Sequence, residues 1–234
     1  MSININEYKS NLKNPYRPEI DGLRAFAVFA VIVNHFNKAI LPNGYLGVDI
    51  FFVISGFVIT SSLDKRPSKN FKDFISGFYE RRLKRLVPAL SVFVIITSIS
   101  ICLFSPEPST SLKTGLTSLF GLSNLYLLKE STDYFAQATE FNIFAHTWSL
   151  GVEEQFYILF PLIIWFSGFG RLTKNGARNL FLTIGSLAIT SLIGFLYLYQ
   201  ANQSAAYFLM PTRFWEMAAG CLIFIGLQKR KSIE

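Results

Sequence analysis

Cysteine and histidine are nearly missing, with two of each in 234 residues. Cys102 and Cys221 both sit inside apolar stretches, with no CxxC pair and no Cys/His spacing. That excludes a disulfide framework and a zinc site and leaves two buried, inert thiols. Charge is scarce too, at 16% of the chain. There is no glycine-rich phosphate loop, internal repeat or coiled-coil heptad. A cleavable signal peptide is also lacking. Residues 1–19 are polar, and the first apolar run is long enough to stay in the bilayer as an anchor.

Apolar side chains fill the space. Hydrophobic residues make up 51% of the chain and mean hydropathy is +0.36, a membrane composition rather than a soluble one. The net charge of +7 does not mark a nucleic-acid surface, because the basic residues cluster in short loops between apolar spans. That is the positive-inside pattern of a polytopic protein. Residues 1–19 read as a cytoplasmic leader with Lys9, Lys13 and Arg17. Ala25–Leu41 and Leu46–Ser62 are each close to crossing length, and Asn37, Lys38, Pro42, Asn43 and Gly44 break them apart.

Leu63–Arg85 carries eight Lys or Arg against three acids and is the strongest inside signal. Within it Asn70–Arg85 suits an amphipathic helix on the membrane surface, with Phe71, Phe74, Ile75 and Phe78 on one side. Leu86–Phe104 is a third span. Thr114–Leu128 is too short to cross and carries Asn124, so it dips in and returns or lies buried against other helices. Trp148–Gly168, Asn179–Gln200 and Arg213–Leu227 bring the total to about six crossings, with both termini cytoplasmic. The expected fold is an all-α polytopic transmembrane bundle with one short re-entrant or half-membrane segment. Its membrane domain covers residues 20–228, followed by a cytoplasmic tail at 229–234.

Ionisable residues inside such spans are expensive and normally face a bundle interior or a wet cavity. Arg24 and His35 stand eleven residues apart, which brings them to one face of a helix about 16 Å apart along its axis. Arg82 and Arg85 share a face at the mouth of a helix. They either flag the inside or grip phosphate oxygens in a pair. The outer layer holds His35, Asp49, His146, Glu153, Glu154 and Gln155. The hairpin is expected to set Asp49 beside His35, where the carboxylate either locks the hairpin or orients a general base. Acids suit the start of the helix at Glu153 and Glu154, which accounts for one of them but not for both. His146 precedes that helix as a gate or substrate contact. Trp148 and Tyr157 lie near span ends, where anchoring in the interface is the plain reading. Two polar layers joined by one helix face suit a ligand with a phosphate-rich head inside and a reactive group further out, as in an acyl-coenzyme A.

Four blocks in order carry a resemblance: YRPEIDGLRAFAVFAVIVNHF, GYLGVDIFFVISGFVIT, FYERRLKRLVPAL and HTWSLGVEEQFYILFPL. RFWEMAAGCLIF from Arg213 adds a fifth. Together they resemble the integral-membrane acyltransferase-3 family, bacterial O-acylases of surface glycans. The match runs from about Tyr16 to Phe224. The family's Arg and His fall on Arg24 and His35, its Arg-x-x-Arg on Arg82 and Arg85, and its Trp-Ser-Leu block on Trp148–Tyr157.

The resemblance implies transfer of an acyl group, usually acetyl, from acyl-CoA as donor substrate to a sugar hydroxyl. The acceptor would be a surface glycan or lipid-linked saccharide of the O-antigen or peptidoglycan kind. No permanently bound cofactor, metal or nucleic acid is implied. His35, Asp49 and Glu153 take catalytic roles, and Arg24, Arg82 and Arg85 hold the coenzyme. His146, Trp148, Glu154, Gln155 and Tyr157 meet the substrate. The location is the bacterial inner membrane. Family members have about ten crossings, so this chain corresponds to the N-terminal part of the domain, its C-terminal helices absent. A transporter with a buried His/Asp/Arg path, or an inactive acyltransferase fragment, are the rival readings.

Overall fold

The computed structural model describes residues 17–64, 68, 70–132 and 142–231. Most of the leader, the loop cations Lys65, Arg66 and Lys69, and the last three residues lie outside them. Nine helices and no strand occur among the described residues. They are α1 (Pro18–Phe36), α2 (Gly47–Leu63), α3 (Phe71–Phe104), α4 (Ser109–Ser118), α5 (Ser123–Thr132), α6 (Trp148–Phe166), α7 (Gly176–Ala201), α8 (Gln203–Phe208) and α9 (Met210–Lys231). Short 3₁₀ turns, Gly44–Leu46 and Ala145–Thr147, lead into α2 and α6.

Among the described residues, five stretches are long and apolar enough to cross a membrane: Gly44–Leu63, Phe71–Phe104, Ala145–Phe166, Gly176–Ala201 and Gln203–Gln228. The first predicted span is not one of them. Its helix starts seven residues earlier than expected and takes Glu19, Asp21 and Arg24 into its first two turns. The described residues thus form an all-α, multi-pass membrane bundle, five of whose helices meet this measure. Predicted Thr114–Leu128 divides into α4 and α5, each of 10 residues, too short to cross. Gly121, at φ +67°, makes the turn between them.

α2, α6 and α9 form the centre and run parallel. Phe52 meets Trp148, and Ser55 meets Glu153 further along both helices. Asp49, Phe57 and Asp64 meet Arg213, Phe224 and Gln228 in the same sense. Gly56 lies against the Met217 carbonyl and Gly220 against the Val53 carbonyl. Small residues let backbones approach this closely where no hydrophobic force drives helices together. α7 is the return leg, tied to α9 where Ser191 donates to the Pro211 carbonyl at 2.6 Å and accepts from the Trp215 amide at 3.1 Å.

The amphipathic segment expected on the membrane surface is instead the first half of α3, one continuous helix of 34 residues. Asn70 caps it by accepting from the Asp73 amide at 2.9 Å. α3 runs antiparallel along α6. Phe71 and Phe74 pack on Trp165, Tyr79 donates to the Ile158 carbonyl at 3.0 Å, and Phe93 meets His146. The aromatic stripe faces protein because α6 offers matching rings.

The close approach of α2 and α9 is testable. Gly220→Ala puts a methyl into the Val53 carbonyl and is expected to lower stability by about 1–3 kcal/mol, the usual cost of overpacking. Gly185→Ala on α7, where a Cβ meets nothing within 4 Å, serves as the neutral control. Thermal unfolding in detergent checks both.

Candidate active site

α1 and α2 pack antiparallel, but their register is not that of a tight hairpin. Gly44 sits against Ala30 and Asn34, Gly47 against Ala27 and Val31, and Arg24 over the Phe51 ring at 5.1 Å. This register puts Asp49 opposite Phe26, about 13 Å from His35 at 1.5 Å per residue. The expected His35–Asp49 pair is therefore corrected. Asn34 holds the connection in place by donating to the Leu41 carbonyl at 2.8 Å and the Pro42 carbonyl at 3.1 Å. That connection is long enough to carry α2 down the side of α1.

His35 is oriented by its own helix instead. Its Nδ1 lies 2.8 Å from the Val31 carbonyl. A carbonyl only accepts, so Nδ1 is the donor, and in the neutral ring the lone pair sits on Nε2. His35, Val31, Tyr45, Phe51, His146, Trp148, Ser149 and Tyr207 line a chamber of about 510 Å³, with Ala27, Val28, Ile32, Gly47 and Val48 completing it. Both histidines of the sequence thus face one cavity. His146 is steadied by Phe93, 5.5 Å away edge-on. Trp148 packs against Tyr207 at 4.3 Å and Phe52 at 5.9 Å.

Beyond Phe51 the outer and inner layers merge. Ser55 donates to Glu153, which is buried in the field of both Arg82 and Arg24. Arg82 lies over the Tyr157 ring at 3.5 Å, and its buried Nε has no hydrogen-bond partner among the described residues. Glu153 thus belongs with the arginines, not beside His35. Arg85 is exposed one turn along α3 and does not join the cluster. Tyr157 is buried in this network and does not act as an interfacial anchor.

Gln155 is bound elsewhere. It donates to the Gly121 carbonyl at 3.0 Å and to Asn124 Oδ1 at 2.8 Å, while Asn124 donates to the Phe208 carbonyl at 2.9 Å. Its side chain ties the α4–α5 turn to α6. Glu154 packs under Gly121, its Oε1 buried without a hydrogen-bond partner among the described residues.

Asp49 pairs with Arg213, and Arg213 Nε lies 3.1 Å from Glu216. Sequence reasoning assigned neither Arg213 nor Glu216 a role. The available signal was a cation and an acid three residues apart in an apolar span, since buried charges persist when paired. Ser55 was missed for want of any signal, a serine in a span being ordinary. Among the described residues no group of three or more His, Cys, Asp or Glu could hold a metal.

A family model described as an acyltransferase domain matches residues 17–232. The chain belongs to the acyltransferase-3 family. Among curated relatives, the O-acetyltransferase OatA of Staphylococcus aureus strain NCTC 8325 / PS 47 is 38% identical over 210 residues. Its counterpart in strain COL matches equally, and in each case the match covers 89% of this chain and 34% of the relative. The chain thus spans about a third of the length of these relatives. No solved structure matches it.

Gln155 offers a local check on this acyltransferase-3 bundle. Gln155→Leu leaves the Gly121 carbonyl and the Asn124 amide short of a partner, an expected loss of about 1–3 kcal/mol. Limited proteolysis should then cut the α4–α5 turn faster than in wild type, while Gln155→Glu, which still accepts from Asn124, is cut more slowly than the Leu variant.

Proposed function

We propose that the protein is a membrane O-acyltransferase that moves an acyl group, most simply acetyl, from acyl-CoA to a hydroxyl of a cell-surface polysaccharide. The acceptor is lipopolysaccharide O-antigen, peptidoglycan or a lipid-linked saccharide of that kind. The membrane is the bacterial inner membrane, with both termini on the cytoplasmic side. The observation that supports this most is the chamber. It presents the His35 imidazole, and its wall residue Phe51 carries Arg24 over its far side at 5.1 Å, where Arg24 and Arg82 both act on the buried Glu153.

The roles follow from the chemistry. Arg82 and Arg24 bind the coenzyme phosphates, because guanidinium groups pair with phosphate oxygens, and Arg85 meets the coenzyme from outside the cluster. The unpartnered Nε of Arg82 leaves a donor for them. His35 Nε2 accepts the proton of the acceptor hydroxyl as its oxygen attacks the thioester carbonyl. The carbon–sulfur bond breaks, and the proton passes to the departing thiolate. The Val31 carbonyl, which holds the Nδ1 proton, does the orienting first expected of Asp49. Glu153, fixed by Ser55, balances the arginines. His146 and Ser149 offer polar contacts to the sugar, Trp148 and Tyr207 a wall.

His35→Ala in the intact protein is expected to remove surface O-acetyl esters with membrane insertion unchanged, read by ester release in mild base. Full acetylation in that variant, or substrate movement that follows an ion gradient and ignores acetyl-CoA, would overturn the assignment in favour of a transporter.

A further inference from the structure

The ion cluster at Arg213 lies outside the catalytic path just described, yet it touches the chamber wall. Arg213 is buried, its guanidinium held between Asp49 of α2 and Glu216 of its own helix. Three aromatic rings surround it: Phe52 at 5.6 Å, Trp148 at 5.8 Å and Tyr207 at 5.8 Å from the guanidinium carbon. A cation with rings at this distance is attracted to their faces, more strongly where water is excluded. Two of the rings, Trp148 and Tyr207, line the chamber. Trp148 is buried and backs Tyr207, which is 41% exposed.

The carboxylates give the cation a fixed address. Asp49 belongs to α2, which also supplies Val48 and Phe51 to the chamber, and the glycine contacts of α2 with α9 fix the position of Arg213. The extended guanidinium donates to Asp49 through Nη2 and keeps its Nε edge 3.1 Å from Glu216 as a charge contact, a spread that a compact ammonium lacks. For helix clamping alone an ion pair would suffice. The three rings make the cluster part of the wall.

Resting on the acyltransferase reading above, we infer that Arg213 is a positioning residue for acceptor binding. Held by Asp49 and Glu216, it fixes the Trp148 and Tyr207 rings, and the acceptor sugar lays its apolar C–H face on Tyr207. Arg213 touches neither substrate and acts only through these rings. The ligand class is a pyranose of a surface polysaccharide, and the donor end of the path at Arg82 is independent of it.

The test uses the full protein purified into lipid nanodiscs, with Arg213→Lys and Tyr207→Leu. The probe is an oligosaccharide released from the cells' own surface polysaccharide and freed of acetyl esters. Binding is followed by the emission of Trp148 in a Trp165→Phe, Trp215→Phe background, which leaves Trp148 as the only tryptophan, the sequence having three. Both variants are expected to weaken oligosaccharide binding and raise the acceptor KM on the order of tenfold or more, the usual scale for misplaced positioning groups. The KM for acetyl-CoA should stay at the wild-type value, and Arg213→Lys should also shift the emission of unliganded Trp148. Wild-type binding and emission in Arg213→Lys would overturn the inference, as would acceptor and donor KM rising together, which marks a purely structural clamp. If the wild type binds the oligosaccharide but transfers no acetyl group, the acyltransferase reading fails and the wall still stands.

Discussion

The contact on which the rest depends is the backbone approach of α2 and α9 at Gly56 and Gly220. In a bilayer, helices gain little by burying apolar surface against each other, so close packing has to hold them. Two glycines let the carbonyls of Met217 and Val53 come in where any side chain would stand them off. This contact sets the register of two parallel helices. Asp49 then falls level with Arg213, Phe57 with Phe224 and Asp64 with Gln228. A slip of one turn would leave Arg213 in an apolar interior with only Glu216 for company. Packing and charge therefore enforce the same alignment.

Much of the fold was legible because the apolar runs are long and the loops between them basic. The second span, for example, was placed within a residue of α2. What stayed hidden has particular causes. The continuity of α3 was obscured by Arg81, Arg82, Lys84 and Arg85, which look like the edge of a membrane but sit in the middle of a helix. Only the rings of Trp165 and Tyr157, eighty or so residues away, reveal where that stretch packs. The His35–Asp49 pair failed because register here comes from glycine contacts between helices, not from the length of the turn.

The structure brings some of the expected site residues together and sets others apart. His35 and His146 share a cavity, while Arg24 and Arg82 gather around Glu153. Glu153 was assigned to the outer layer by counting from the start of its helix, yet it lies with the arginines. Ser55 and Arg82 draw it there, and neither contact is local in sequence. Asp49 found its partner 164 residues away, a separation at which spacing carries no information.

The parallel course of α2 and α6 has one more consequence. The first residues of both helices, Gly47 and Val48 in one and Trp148 and Ser149 in the other, line the chamber. The Gly47 and Trp148 amides donate back into the 3₁₀ turns before them, but the aligned peptide dipoles still give that end of each helix about half a unit of positive charge. Two such ends converge on one small, largely apolar space, where low polarisability leaves their fields unscreened. The backbone therefore biases the chamber toward electron-rich oxygen without a charged side chain. Negative charge gathering on a carbonyl oxygen there would be stabilised before any atom moved.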